Sequence, residues 1–144
     1  MQPKLPAPWI CPECGRSLTV RNQEHVCGLY DLAGHFEGKD PAGRTAFDWI
    51  CAAFDSLGPY DVLPMKTMIA FACGVNLAFL KTKRRGAEIS IVLATPPSSG
   101  RVTGVLSYSR TKAIYRIPIR DISELDAELE AWLRAAYEAG GRAV

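Results

Sequence analysis

Residues 69–93 read Ile-Ala-Phe-Ala-Cys-Gly-Val-Asn-Leu-Ala-Phe-Leu-Lys-Thr-Lys-Arg-Arg-Gly-Ala-Glu-Ile-Ser-Ile-Val-Leu. Large apolar side chains alternate in this stretch with smaller or polar ones, at Ile69/Phe71, Val75/Leu77/Phe79 and Ile89/Ile91/Leu93. This period of two is typical of β-strands with one buried face. Residues 81–86 are charged and end in glycine, which predicts an antiparallel hairpin loop between two of the strands.

The flanking sequence predicts more strands and two helices. After a Pro/Ser-rich loop at residues 95–100, strands near 102–108 and 113–119 extend the sheet. Asp40 followed by Pro41 predicts a helix from 41 to 57, because aspartate is a good N-cap and proline is tolerated at the first helical position. A capping-box-like start at residues 123–126 precedes a second apolar helical stripe.

The order of these elements predicts an α+β fold. Consecutive strands between two helices indicate an antiparallel sheet packed against N- and C-terminal helices, rather than alternating βαβ units. We expect both helices to pack on one face of the sheet through a shared set of apolar residues. These are Phe47, Ile50, Phe54, Leu129, Trp132 and Leu133.

The composition is that of a globular chain. With 144 residues, 48% of them hydrophobic and 22% charged, the sequence suffices for one ordinary domain. The longest nearly apolar run, residues 69–80, is much shorter than the roughly 18–20 residues that span a bilayer. The N-terminus is proline-rich and lacks the apolar stretch of a secretory signal. We therefore expect a cytoplasmic protein with no membrane partner.

Four potential metal ligands lie close together near the N-terminus, in the pattern C-x2-C-x10-H-x-C. They are Cys11, Cys14, His25 and Cys27. Such a set suits tetrahedral Zn²⁺ and leaves no open coordination position, so the pattern predicts a structural zinc site in a small zinc-ribbon or knuckle-like module. Zinc would also stabilise a segment with too few apolar residues for a core. A redox-active Cys pair and a flexible arm remain alternatives.

This interpretation divides the chain into a zinc-binding module at residues 1–28 and an α+β domain at 29–144. The remaining cysteines, Cys51 and Cys73, lie in apolar patterns and are interpreted as core residues. His35, the other histidine, is interpreted as a packed or capping residue.

Charges are segregated along the chain although the formal net charge is only +2. Between residues 62 and 120, ten basic residues accompany one acidic residue, Glu88. Eight of the cations are assigned to strands and loops of the sheet and form a candidate site for nucleic acid or another polyanion, with Tyr108 and Tyr115 beside them for base stacking. The eight are Lys81, Lys83, Arg84, Arg85, Arg101, Arg110, Lys112 and Arg116.

Two other classes of function remain open. A protein-interaction module is one, because zinc modules also serve protein contacts. An enzyme is the other, although the sequence contains no phosphate-binding loop, dinucleotide fingerprint, H-E-x-x-H or G-x-S-x-G motif. We therefore expect a binding module and assign no catalytic residue. Neither the oligomeric state nor any sequence preference follows from these patterns.

Several short strings along residues 9–139 resemble a bacterial family known as domain of unknown function 5655. The strings are Cys11-Pro-Glu-Cys14-Gly-Arg, Asn22-Gln-x-His25-x-Cys27, His35-Phe36-x-Gly38-Lys39, Lys66-Thr-x-Ile69-Ala-Phe71 with Phe79, and Trp132-Leu-x-x-Ala-Tyr137. The resemblance implies an α+β fold with a curved antiparallel sheet and a C-terminal helix. It implies no activity.

Overall fold

The computed structural model describes residues 31–140 together with two short strands, β1 (Trp9–Ile10) and β2 (Ser17–Leu18). These two strands pair antiparallel in a small sheet of their own. All four candidate zinc ligands lie outside the described residues, namely Cys11, Cys14, His25 and Cys27.

The main sheet has six antiparallel strands in the order β3-β4-β5-β6-β8-β7. They are β3 (Asp61–Pro64), β4 (Ile69–Ala72), β5 (Asn76–Thr82), β6 (Ala87–Leu93), β7 (Gly104–Ser107) and β8 (Ala113–Ile119). Five of these confirm the strands that the period of two predicted. β3 was not predicted, since it is short, lies at an edge and contains Pro64, a residue that sheets tolerate only at such positions.

Two helices flank the strands in the chain, which confirms the α+β fold. Helix α1 (Pro41–Asp55) begins where Asp40 accepts a hydrogen bond from the Ala42 amide at 2.9 Å. Helix α2 (Ala127–Gly140) follows a short 3-10 turn at Ile122–Glu124. Neither helix of residues 31–140 is long and apolar enough to cross a membrane.

The expected capping box at residues 123–126 is wrong in its position. The box forms two residues earlier, on the 3-10 turn, where Glu124 accepts a hydrogen bond from the Asp121 amide at 3.0 Å. Asp126 then caps α2, because its Oδ1 accepts from the Leu129 amide at 3.1 Å. The inserted 3-10 turn explains the shift.

Both helices pack on one face of the main sheet, as predicted. The core joins apolar residues of α1 and α2 to alternate residues of the strands, among them Ile69, Phe71, Leu80, Ile89, Ile91, Ile117 and Ile119. Phe54 is at its centre, fully buried, with ring centroids of Tyr60, Phe71 and Tyr137 between 5.6 and 6.0 Å away. Trp132 departs from the expectation, since it is only half-buried at the margin of this core.

We expect Phe54→Ala to destabilise the domain by about 3–5 kcal/mol, because it removes a fully buried ring from a cluster of aromatic side chains. Thermal or urea unfolding measures this loss. Trp132→Ala is the matched control and should cost clearly less, since that ring keeps partial contact with water. Equal losses for the two variants would contradict this account of the core.

Candidate polyanion-binding surface

The main sheet has an outer face, defined as the face opposite the helices. The strand register aligns its residues in rows: Phe79 pairs with Ser90 and Ser90 with Arg116, while Lys81 pairs with Glu88. These positions alternate with those of the helix-side core. The register therefore decides which predicted cations share the outer face.

Lys81 and Arg116 both lie on the outer face and are exposed. They are two strands and one row apart, which corresponds to about 12 Å between their Cα atoms at ordinary strand spacings. The Arg116 guanidinium lies over Gly104 of the neighbouring strand, where an added Cβ would come within 2.8 Å of its Cζ. Lys83 joins the same face through an ion pair of 3.6 Å with Glu88.

The hairpin loop, Lys83–Gly86, presents Arg84 and Arg85 at one end of the sheet. Asp40 fixes this loop from the start of α1: its amide donates to the Lys83 carbonyl at 2.8 Å, and its Oδ2 accepts from the Gly86 amide at 2.6 Å. Gly86 has φ +67°, and a Cβ there would collide with the Ile119 carbonyl oxygen. Arg84 and Arg85 are therefore displayed on a loop that is held at both ends.

The hydrogen bonds of Asp40 also change its acidity. The Gly86 and Ala42 amides, with the former dominant, hold the pKa of the half-buried Asp40 carboxyl below its usual value. Two backbone donors on one side chain favour its charged form. The link between α1 and the hairpin loop consequently depends on an ionised carboxylate.

The ribbon turn, residues 108–112, lies at the opposite end of the sheet. The Tyr108 and Ser109 amides both donate to the Lys112 carbonyl, at 3.2 and 3.0 Å, so the turn is tight. Arg110 and Tyr108 are exposed there, Tyr108 at 39% of its surface. Tyr115, by contrast, is 7% exposed within the helix-side core, so it does not stand among the cations as expected.

Two of the predicted cations are engaged within the fold. Lys112 is half-buried beside the last residue of α2, where an added Cβ on Gly140 would lie 3.6 Å from its Nζ. A cation there complements the negative end of the helix dipole. Lys112 is therefore less accessible to a ligand than the residues of the outer face.

Arg101 lies on the helix side, on the crossover connection from β6 to β7. Its Nη1 donates to Asp126 at 2.9 and 3.2 Å and to Glu128 at 3.3 Å, and its Nη2 donates to the Glu124 carbonyl at 2.5 Å. The guanidinium carbon also lies 6.0 Å from the Trp132 ring centroid. Its partners make Arg101 a link between the crossover and α2.

The hairpin loop and the ribbon turn are separated by the length of β8, about 20 Å. The cations thus form a band along the outer face rather than one cluster. Sequence reasoning left Arg120 out of this set. It is exposed beside the hairpin loop, where a Cβ on Gly86 would lie 3.4 Å from its Cα. The pairing of β6 with β8 places it there, and the sequence pattern does not reveal that pairing.

Within residues 31–140, no group of three or more His, Cys, Asp or Glu side chains could hold a metal ion. The carbonyl of His35 accepts a hydrogen bond from the Thr82 hydroxyl, so this residue helps to join the 3-10 turn Ala33–His35 to β5. Cys51 and Cys73 are half-buried against the core. Burial raises the pKa of the Cys51 thiol, which disfavours the reactive thiolate.

Residues 33–140 match the family described as Domain of unknown function (DUF5655), and because this is more than half of the chain, the protein belongs to that family. No curated protein and no solved structure matches the chain.

We expect Asp40→Asn to lower the melting temperature at pH 7. Asparagine is as good an N-cap as aspartate, so the Ala42 contact survives, while the bond to Gly86 loses its charged acceptor. Because the pKa of Asp40 is lowered in the folded state, its stabilisation is complete above the usual carboxyl pKa of about 4 and is lost as the pH falls through the lower folded value.

The difference in melting temperature between the two proteins should therefore be constant near neutrality and shrink only below about pH 4. Thermal unfolding across this range provides the measurement. Identical melting temperatures at pH 7 would contradict the proposed role of the carboxylate.

Proposed function

We propose that this protein is a non-enzymatic cytoplasmic binding module that contacts the phosphate backbone of nucleic acid with the outer face and the two ends of its sheet. The observation that supports this best is that five of the eight predicted cations are exposed and have no ion-pair partner among residues 31–140. They are Lys81, Arg84, Arg85, Arg110 and Arg116. Clusters of this kind bind phosphates by releasing condensed counterions.

The local balance of charge supports the proposal. From residue 89 to residue 120 the chain has no carboxylate, and Glu88, which directly precedes this stretch, is already paired with Lys83. The band from the hairpin loop to the ribbon turn, about 20 Å long, spans about six base-pair steps of duplex DNA at 3.4 Å each. One ligand could therefore contact both ends.

Tyr108 extends the proposal to unpaired bases. Its exposed ring lies in the same turn as Arg110, and aromatic rings beside cations stack on bases of single strands. We therefore expect single-stranded nucleic acid to bind at least as well as duplex.

The test measures binding of the full chain to labelled single-stranded and duplex oligonucleotides at salt concentrations between about 50 and about 200 mM. Each phosphate contact contributes about 0.7–0.9 to the slope of log K against log salt, so Arg84→Ala with Arg85→Ala should flatten the slope by about 1.4–1.8. Binding should weaken alike for all sequences, and stability should hardly change, because both side chains are exposed.

Arg134→Ala with Arg101→Gln is the matched control. It removes the same charge from the helix side, where Arg134 is exposed on α2 and Arg101 is bound by carboxylates. The slope should stay unchanged, although loss of the Arg101 contacts should cost about 1–2 kcal/mol of stability. Wild-type protein without affinity at low salt would contradict the proposal and favour a protein-interaction module.

We also propose that Cys11, Cys14, His25 and Cys27 hold one structural zinc ion. The ligand types and their spacing support this, together with the antiparallel pairing of β1 and β2, which flank Cys11 and Cys14 in the sequence. Four protein ligands complete a tetrahedral shell, so the ion would stabilise the N-terminal module and take part in no reaction.

Elemental analysis of protein purified without added metal should find zinc near unit stoichiometry. Cys11→Ser should lose it, whereas Cys51→Ser, which changes a half-buried thiol in α1, should retain it. Because the core of the main domain lies after residue 40, chelation should leave its unfolding transition intact. A wild-type protein free of zinc would contradict this assignment.

A further inference from the structure

The outer face carries an apolar layer of its own. Its members come from all six strands of the main sheet and none belongs to the helix-side core cluster or packs against it. They are Leu63, Ala70, Ala72, Phe79, Val92, Ile114 and Leu106. A face that only met water would be expected to carry polar residues at these positions.

Part of this layer is as inaccessible as the core. Ala70 is 1% exposed and Val92 is 3% exposed. Yet the helices of residues 31–140 pack on the other side of the sheet, and the turn at Ala33–His35 leads into Phe36, whose ring packs on Phe47 of α1. Within these residues, nothing is placed to cover the apolar layer.

We propose that the N-terminal segment, residues 1–30, covers the apolar layer of the outer face and leaves the exposed Lys81 and Arg116 of that face accessible. The point at which this segment joins the domain supports the assignment. Its last residue precedes Asp31, and shortly afterwards the His35 carbonyl accepts a hydrogen bond from Thr82, which lies on the helix side at the end of β5, next to Lys81 of the outer face. The chain therefore enters the domain at the hairpin-loop end of the sheet, and from there it can pass around that end to the outer face.

The length of the segment is sufficient. Twelve residues separate Leu18 from Asp31 and can span up to about 40 Å, twice the length of β8. Because the segment is part of the same chain, its effective concentration at the face is in the millimolar range, which favours it over a second copy or a separate partner.

The small sheet of this segment would also be stabilised by packing on an apolar surface. The sheet of β1 and β2 has only two strands, and an isolated two-stranded sheet is marginally stable in water unless it packs on something else. Three of its four paired residues, Trp9, Ile10 and Leu18, are apolar. A single packing contact would therefore cover the apolar layer and stabilise the small sheet. The proposal does not depend on bound zinc.

Hydrogen exchange of the full chain, followed by mass spectrometry, tests this proposal. Phe79→Gln places an amide in the half-buried centre of the apolar layer, and amides in residues 9–30 should then exchange at least about tenfold faster. Val105→Gln is the matched control, since Val105 lies on β7 but is 58% exposed and registers with Tyr115 of the helix-side face. It should leave residues 9–30 unchanged.

Exchange in α1 and α2 reports whether a variant remains folded, and if Phe79→Gln disturbs them, Ile114→Gln replaces it in the comparison. Unchanged exchange in residues 9–30 in the folded variants would overturn the proposal. So would fully unprotected amides there in the wild type. A wild-type dimer that Phe79→Gln converts to a monomer would overturn it in favour of a second copy on this face.

Discussion

Asp40 joins two parts of the molecule that are distant in sequence, helix α1 and the hairpin loop. It caps α1 through the Ala42 amide and holds the hairpin loop through Gly86, while the Asp40 amide donates to Lys83. The close approach of α1 to β5 depends on the same region, since a Cβ on Gly43 would lie 2.9 Å from Thr82 Cγ2. The helix layer and the basic hairpin loop are therefore fixed relative to each other.

The register of the strands determines which residues lie on each of the two faces of the sheet. β8 returns between β6 and β7, which places Arg116 on the outer face between Ser90 and Gly104. The same topology requires a crossover from β6 to β7, and this crossover carries Arg101 to the helix side, where Asp126 binds it. Arg101 and Arg116 belong to the same basic segment of the sequence, but in the fold they have different roles.

The period of two was sufficient to predict the central strands and the α+β class. It gave the wrong face within β5, where Phe79 lies on the outer face and Leu80 is buried in the core beside an irregularity of register between β4 and β5. Our expectation that Tyr115 stands among the cations was wrong, because Tyr115 is in phase with Ile117 and is buried, whereas Arg116 is out of phase and exposed. The order of β7 and β8 could not be predicted, since periodicity says nothing about which strands are neighbours. The capture of Arg101 by Asp126 depends on that order.

The charges are segregated along the chain, and the helix layer and the sheet of the fold also differ in charge. The two helices carry five exposed carboxylates, Asp48, Asp55, Glu128, Glu130 and Glu138, against only Arg44 and Arg134 as cations, whereas the other exposed carboxylates, Asp61 among them, lie outside the helices. The unpaired cations among the eight that the sequence predicted lie on the outer face and at the two ends of the sheet. Such an arrangement gives the domain a directional field despite a net charge of +2 for the chain. If the proposed polyanion binds, this field would repel it from the helix layer and attract it to the outer face, which favours the orientation in which Arg84, Arg85 and Arg116 meet phosphate first.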